Sequence, residues 1–173
     1  MEVSRMKKIM ILNGAGRRNG STATLVKAFI EGAGSSGNEV KEFFLQEMNI
    51  HGCIGCNVCS KNGGNCIQHD DMELIYSAFE WADVVVFASP VYWGSITGTL
   101  KTTADRLYAM LSRLKRHGFA KEGILLMTAG SPIYDQALMW YSGYSRYNGW
   151  KNLGIVLGQG KSAEAKKLGA SIN

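Results

Sequence analysis

The sequence predicts an α/β fold built on a parallel, doubly wound sheet. Short apolar runs typical of buried strands recur along the 173 residues, and segments with helical spacing of apolar residues separate them. Hydrophobic residues make up 46% of the chain and charged residues 19%, which is typical of a globular protein and not of a disordered one. We expect a single domain over 1–173, with a cysteine-rich insert at about 50–69.

Five predicted strands alternate with five predicted helices. The strands are mostly uninterrupted apolar runs, except that the second carries charges and is expected to be half-buried; they are Ile9–Leu12, Val40–Leu45, Val84–Ala88, Ile124–Met127 and Ile155–Leu157. The helices are the segments between and after them, at Thr22–Ala33, Met72–Trp81, Gly98–Leu114, Gln136–Tyr147 and Ala163–Leu168. Ligands of such sheets bind beyond the carboxyl ends of the strands. The turns after the first, third and fourth strands are therefore expected to meet in one site.

The first of these turns has the composition of a phosphate-binding loop. Its glycines let the backbone approach an anion, and the helix that follows presents free N–H groups and the positive end of its dipole. The polar, basic and glycine residues concerned are Gly14, Gly16, Arg17, Arg18, Gly20, Ser21 and Thr22. The turn matches neither a Walker loop nor the dinucleotide fingerprint, so it favours a single monophosphate. An ordinary glycine-rich turn is the alternative.

The other two turns suit a planar ring. Ser89–Gly98 is free of charge and holds Tyr92 and Trp93, which offer flat apolar surface beside backbone N–H donors. Thr128–Pro132 is small and polar, as expected for the wall of a cofactor site. A simple aromatic cap on the edge of the sheet is the alternative for the first of them.

The charge and the apolar pattern exclude several classes of protein. The net charge is +5 and the basic residues are scattered, with no nucleic-acid-binding module, so we expect no nucleic-acid partner. A mild positive field suits an anionic cofactor instead. No apolar segment has the length of a membrane span or the form of a signal peptide, so we expect a cytoplasmic protein without a membrane partner.

Two segments carry a resemblance to a known family. Gly14–Thr22 and Ala88–Ser95 resemble the phosphate loop and the flavin-ring loop of the flavodoxin-like NAD(P)H-dependent FMN reductases, and the likeness extends over nearly the whole chain. Two positions depart from the family's phosphate loop, since Ala15 replaces a serine and Gly16 replaces a proline. The resemblance implies a flavodoxin-like three-layer sandwich whose five-stranded parallel sheet has the order 2-1-3-4-5, with helices on both faces.

The resemblance also implies a cofactor, a reaction and the residues of the site. FMN would be bound without a covalent link, reduced by NAD(P)H, and would pass electrons to a small acceptor or to an iron–sulfur cluster. Because hydride moves between stacked rings, the protein positions the rings and no side chain acts as the catalyst. The implied cofactor-binding residues are Gly14, Arg17, Asn19, Ser21, Thr22, Pro90, Val91, Tyr92, Trp93, Gly94, Ser95, Thr128, Ala129, Gly130 and Ser131.

All four cysteines, Cys53, Cys56, Cys59 and Cys66, fall in one short segment with the spacing C-x2-C-x2-C-x6-C. Cytoplasmic thiols stay reduced, which disfavours a disulfide framework. Clustered thiolates suit a metal, and three at this spacing can bind one face of an iron–sulfur cubane. The segment resembles the cysteine motif of the iron–sulfur flavoproteins, a branch of the same family, which implies a 4Fe–4S cluster. Zinc and free thiols that pack the insert remain alternatives.

Three further features have more than one interpretation. Asp70 and Asp71 are expected to begin a helix rather than to form a catalytic pair, because neighbouring residues point in different directions. Asp105 and Arg106 are expected to be an exposed or interface charge pair. The aromatic stretch 139–150 suits the core, a lid or a subunit interface, and since relatives are commonly oligomers we expect a homodimer or homotetramer.

The sequence therefore predicts an NAD(P)H-dependent flavoprotein oxidoreductase. Two alternatives come from other classes of protein. One is a non-enzymatic, flavodoxin-like electron carrier, a role that usually goes with an acidic surface and not with this basic chain. The other is a metal-binding redox module whose flavin site is vestigial, for which the departures at Ala15 and Gly16 are the support.

Overall fold

A five-stranded parallel sheet forms the centre of the structure, a computed structural model that describes residues 6–173 except for the side chains of 115–118. The strand order is β2-β1-β3-β4-β5. This confirms the predicted fold class and strand order. The strands are β1 (Lys8–Asn13), β2 (Glu39–Phe44), β3 (Val84–Pro90), β4 (Glu122–Thr128) and β5 (Lys151–Leu157).

Helices cover both faces of this sheet, and a short 3₁₀ turn at Leu45–Glu47 follows β2. Apolar side chains of the first and last helices pack on one face, and those of the four helices between them pack on the other. None of the described helices is both long enough and apolar enough to cross a membrane. The helices are α1 (Ser21–Ser35), α2 (Met72–Trp81), α3 (Gly98–Arg106), α4 (Tyr108–Phe119), α5 (Asp135–Asn148) and α6 (Ser162–Ala170).

The prediction of one helix over Gly98–Leu114 is wrong, because the chain turns at Leu107 and forms two helices. The ψ angle of Leu107 is −11°, well away from the helical value of about −42°. Arg106 and Leu107 are both buried at this break. The two helices therefore meet inside the protein and not at its surface.

The segment 48–71 between the 3₁₀ turn and α2 contains neither helix nor strand. It carries all four cysteines and lies beside the break between α3 and α4, where Gly64 packs against the backbone of Ala109. Its position after β2 corresponds to the insert predicted at about 50–69.

Helices α1 and α6 approach each other closely at two glycines. A Cβ atom at Gly32 would lie 2.0 Å from the carbonyl oxygen of Lys166, and one at Gly169 would lie 2.3 Å from that of Phe29. Neither backbone oxygen can move without shifting a helix. Gly34, in the same helix as Gly32, has nothing within 4 Å of such an atom.

We predict that Gly32→Ala lowers the free energy of unfolding by about 1–3 kcal/mol, because the added methyl forces α1 away from α6. Gly34→Ala is the matched control and should be neutral or stabilising by up to about 1 kcal/mol, since alanine is the better helix former. Urea unfolding followed by circular dichroism measures both values. Equal stability of the two variants would contradict this packing.

Candidate functional site

A cavity of about 200 Å³ lies at the carboxyl edge of the sheet. The turns after β1, β3 and β4 form its walls, and the turn after β5 adds one residue. The three turns therefore meet, as the topology predicts. The lining residues are Ala15, Gly16, Arg17, Gly20, Ser21, Thr22, Pro90, Val91, Tyr92, Thr128, Ala129, Gly130 and Gln159.

Short hydrogen bonds hold these turns together. The hydroxyls of Thr22 and Thr128 lie 2.6 Å apart and are buried, which joins the first turn of α1 to the end of β4. The N–H of Val91 donates to the carbonyl of Thr128 over 2.7 Å, which joins the end of β3 to the same residue. Thr128 is thus the common partner of both neighbouring turns, and it fixes the width of the cavity.

One end of the cavity has the chemistry of an anion site. The N-cap of α1 is Gly20, whose residue type supplies no side-chain cap, and the first turn of the helix holds no acidic residue. The first N–H groups of a helix have no partner within it, and they carry the positive end of the helix dipole. Ser21 and Arg17 line the cavity beside them. Arg18 points elsewhere, because its guanidinium pairs with Glu47.

The other end of the cavity contains Tyr92. A Cβ atom at Gly16 would lie 2.8 Å from the hydroxyl oxygen of Tyr92, so a glycine at this position lets the ring lie across the first turn. Tyr92 and Ser95 exchange two backbone hydrogen bonds around a tight turn. At its tip, Trp93 has a φ of +51° and a fully exposed side chain. A bulky residue in the left-handed region is strained, so this turn is held by its surroundings.

Some residues predicted for the site lie on the right turns but outside the cavity lining. Gly14 is buried behind it, against Thr97 and Leu100. The others, beyond the rim of the cavity, are Asn19, Trp93, Gly94, Ser95 and Ser131. For these residues, contact with a ligand stays a prediction.

Gln159 lines the cavity and was not among the predicted residues. Its side-chain amide donates to the carbonyl of Ala129 over 3.1 Å, which fixes the turn after β4 from the far side. The sequence did contain a signal, because Gly158 and Gly160 flank this residue directly after β5. A fourth small-residue turn at the same edge of a parallel sheet was therefore foreseeable.

The four cysteines line one second cavity, of about 210 Å³, together with Ile54, Ile67 and Tyr108 among others. Cys53 and Cys56 are exposed, whereas Cys59 and Cys66 are half-buried, and none forms a disulfide. Burial raises the pKa of the Cys59 thiol, and the neighbouring Cys66 adds to the effect.

The predicted metal site is not assembled in this arrangement of the thiols. Among residues 6–173, as far as their side chains are described, no three Cys, His, Asp or Glu side chains are placed so that they could hold a metal ion. The four cysteines thus share a cavity without converging on one point. Their grouping was foreseeable from the spacing, but the positions of the sulfur atoms were not.

A buried ion pair lies next to the cysteines. The guanidinium of Arg106 is 2.8 Å from one carboxylate oxygen of Asp70 and 3.1 Å from the other. The expectation of an exposed or interface Asp105–Arg106 pair is wrong for Arg106, which is 2% exposed and pairs with Asp70 inside the protein. Asp105 is exposed and instead bonds Lys101 one turn earlier in α3. Sequence neighbours on a helix point to different sides, so each found a different partner.

The predicted helix start at Asp70 and Asp71 is confirmed, since α2 begins at Met72. The two residues share the capping role. Asp71 occupies the N-cap position without a side-chain capping bond, while a carboxylate oxygen of Asp70 accepts from the N–H of Met72 over 3.1 Å. The two carboxylates therefore serve the helix start and the ion pair.

The aromatic stretch 139–150 is divided between the core and a surface groove. Tyr141 and Trp150 are buried in the core beneath α5. Met139 and Tyr147 are exposed and line a groove of about 640 Å³, with Tyr108 of α4 on its opposite side. One part of the stretch is thus core, and the remainder is open apolar surface.

Comparison with known proteins identifies relatives in sequence and in fold. The family model described as NADPH-dependent FMN reductase matches residues 7–137, more than half of the chain. An iron–sulfur flavoprotein of Methanocaldococcus jannaschii is 37% identical over 94 residues, which are 54% of this chain and 48% of that protein. One of Archaeoglobus fulgidus is 35% identical over 102 residues, 59% of this chain and 46% of that protein. The chain thus spans about half the length of these curated relatives.

A solved structure shares the fold over nearly the full length of both chains. The NAD(P)H:quinone oxidoreductase from Methanothermobacter marburgensis superimposes with a TM-score of 0.73, covering 98% of this chain and 97% of that one. The two sequences are 18% identical, so this likeness concerns the fold alone.

The Asp70 ion pair predicts a specific acid dependence of stability. Burial alone would raise the pKa of Asp70, but hydrogen bonds from Arg106 and from the N–H groups of His51 and Met72 outweigh burial and lower the pKa to about 2. A carboxyl whose pKa is lower in the folded than in the unfolded state stabilises the protein above its unfolded pKa. That contribution, on the order of 2 kcal/mol, disappears as the pH falls from about 4 to about 2.

We predict that Asp70→Asn lowers the free energy of unfolding at pH 5 and lacks this part of the pH dependence. Asp105→Asn is the control, because its exposed carboxylate should leave the slope unchanged. Urea unfolding between pH 2 and pH 5 measures the slope. The account is contradicted if Asp70→Asn keeps the wild-type slope.

Proposed function

The chain belongs to the NADPH-dependent FMN reductase family, and on this basis we propose that it binds FMN and oxidises NAD(P)H. The observation that carries the proposal is the cavity at the carboxyl edge of the sheet. Three turns with a phosphate-like end and a ring-like end meet there, tied together through Thr128. Convergent turns at this edge are where doubly wound sheets bind their ligands.

The donors at the first end fit the phosphate of FMN. The first N–H groups of α1 lie at the part of the cavity lined by an arginine and two hydroxyl side chains, Arg17, Ser21 and Thr22. Such a combination binds a dianion through hydrogen bonds to charged oxygens, which are stronger than neutral ones. The predicted roles of Gly14 and Asn19 in this loop are part of the proposal, with Gly14 acting by packing.

The second end fits the isoalloxazine ring. Pro90, Val91 and Tyr92 form an apolar part of the lining, and Thr128, Ala129 and Gly130 form a small-residue part beside it, with the Gln159 amide at the rim. A flat ring against this lining would find apolar surface for its face and backbone groups at its polar edge. The strained turn at Trp93, Gly94 and Ser95, and Ser131 at the end of the β4 turn, would complete the rim.

The residues that line the cavity suit hydride transfer between two rings. Bound FMN would supply the electron-accepting chemistry. The lining contains no carboxylate, histidine or thiol, so the side chains there can orient rings and exclude water, but they do not include a strong acid–base pair. The N–H groups of Val91, Tyr92 and Ser95 already donate to backbone carbonyls, so those of Trp93 and Gly94 are the ones that would stabilise negative charge on the ring. This is the arrangement expected of an enzyme that works by positioning.

The acceptor of the electrons is proposed only by class. The cavity is open, which suits a small molecule that exchanges with NAD(P)H. The exposed groove beside Tyr108, Met139 and Tyr147 supports a homodimer or homotetramer, because exposed aromatic and methionine side chains are enriched in subunit interfaces. We place the protein in the cytoplasm, without a nucleic-acid or membrane partner.

We propose, as a second function, that Cys53, Cys56, Cys59 and Cys66 bind an iron–sulfur cluster that receives electrons from FMN. Four thiols that line a single cavity, and relatives named as iron–sulfur flavoproteins, support this proposal. The donor set fits, since thiolates are the ligands of such clusters. The sulfur atoms must still draw together within the segment, because they do not converge as they stand.

We predict that the protein binds FMN and that Thr22→Val weakens the binding about tenfold, because the lost hydroxyl both bonds Thr128 and would bond the phosphate. Thr24→Val is the matched control, because Thr24 is exposed on the same helix and does not line the cavity. Flavin fluorescence gives both affinities. Addition of NADPH without oxygen should then bleach the bound flavin.

Three outcomes decide between the candidate functions. Equal affinities of Thr22→Val and Thr24→Val would contradict the phosphate assignment. FMN that binds but is not reduced by NADH or NADPH would indicate an electron carrier. A protein that does not bind FMN at all would indicate a vestigial flavin site.

A further inference from the structure

A single buried guanidinium ties together the two ends of the cysteine segment. Arg106 donates to the carbonyl of His51 over 2.7 Å, before the first cysteine, and to that of Gln68 over 3.5 Å, after the last one. It also bonds both oxygens of Asp70. The side chain is 1% exposed, so water does not compete for these bonds.

The two ends of the segment are also joined to each other by hydrogen bonds. The N–H of His51 donates to a carboxylate oxygen of Asp70 over 2.9 Å, and the amide of Gln68 donates to the carbonyl of Gly52 over 3.1 Å. Asn49 and Asp71 exchange two further bonds, one from each N–H. The residues between are therefore a closed loop on a fixed base, and Arg106 and Asp70 are the buried part of that base.

The same guanidinium reaches the last cysteine. Its second terminal nitrogen lies 3.5 Å from the sulfur of Cys66. Four thiolates around a metal concentrate negative charge, and a buried arginine beside one of them offsets part of it. The remaining guanidinium nitrogen, Nε, is buried and has no partner among the described residues. Arg106 thus places a positive charge beside Cys66 and keeps one buried donor without a partner among the described residues.

A second arginine makes a contact of a different kind. Arg113 donates to the side chain of Asn65 over 2.9 Å, within the same segment, but this bond is exposed to solvent. It neither touches a cysteine sulfur nor joins the two ends. Substitution of Arg113 therefore serves as the control: it removes an arginine that contacts the segment but leaves the buried one in place.

We propose that Arg106 is the positioning residue of the four-cysteine site. It fixes the base of the loop that carries the four thiols, and it stabilises the thiolate of Cys66 once a cluster is bound. The role rests on the proposed cluster function. A lysine keeps the charge but cannot bond two carbonyls, a carboxylate and a thiolate together, because it lacks the planar fork.

The test uses full-length protein purified without oxygen, as wild type and as Arg106→Met, Arg106→Lys and Arg113→Met. Iron per chain and the visible absorbance spectrum report the cluster. Hydrogen exchange of the amides in 52–66, after iron is removed, reports the base of the loop. FMN affinity reports the fold, since Arg106 does not line the FMN cavity.

Wild type and Arg113→Met should carry about four iron atoms per chain. The iron content of Arg106→Met should be at least about tenfold lower than that of wild type, which is the usual effect of losing an outer-shell partner of a metal site. Its loop amides should exchange at least tenfold faster. Arg106→Lys should recover part of the iron and its spectrum, but not the slow exchange. A purely structural role of Arg106 would not produce this split between the two measurements.

Two results overturn the proposal in distinguishable ways. Iron-free wild-type protein would end the cluster function and this role with it. An iron-bearing wild type, with Arg106→Met holding equal iron, would end the role of Arg106 alone. If Arg106→Met loses FMN and so fails to fold, the double variant Arg106→Met with Asp70→Asn replaces it, because it leaves neither charge buried without a partner.

Discussion

The parallel order of the strands is the constraint on which the rest of the structure depends. Because all five strands run the same way, the turns that follow them end at one edge, and two short bonds to Thr128 hold three of those turns together. Without the hydroxyl pair of Thr22 and Thr128, the first turn of α1 would lose its link to β4. The candidate phosphate end and ring end are thus parts of one rigid rim.

Helix α3 connects this rim to the cysteine segment. It begins at Gly98, directly after the strained turn at Trp93, and its cap Thr97 bonds back to Ser89 at the end of β3. It ends at Arg106, whose side chain holds both ends of the cysteine loop. Nine helical residues span only about 13 Å. A short, rigid element therefore sets the separation of the two proposed redox sites.

Local patterns were sufficient to predict the elements and the edge of the sheet that carries the site. Apolar runs predicted four of the strands, and the half-buried segment Val40–Leu45 predicted β2, each to within a few residues; Met72–Trp81 was predicted with its observed bounds. The three turns could be placed together because the topology of a parallel sheet leaves no other arrangement. Their glycine, hydroxyl and aromatic content then indicated the chemistry.

Long-range pairing could not be predicted from the same patterns. Arg106 looked exposed because its sequence neighbour is charged, yet its partner Asp70 lies 36 residues away. The break at Leu107 lies within a run of helical spacing, and no glycine or proline beside it marks it in the sequence. Gln159 was missed for a different reason. Its turn has the same small residues as the other three, but it follows β5 at the edge of the sheet and was not predicted as part of the site.

Amide chemical shifts of the labelled protein, recorded on addition of FMN and of riboflavin, test the shared rim most directly. Both ligands should move the signals of Val91 and Ala129, which face the ring. Only FMN should move those of Ser21 and Thr22, because riboflavin lacks the phosphate that the first turn of α1 would bind. Shifts confined to the groove around Tyr147, or an FMN response that spares Ser21 and Thr22, would contradict the account.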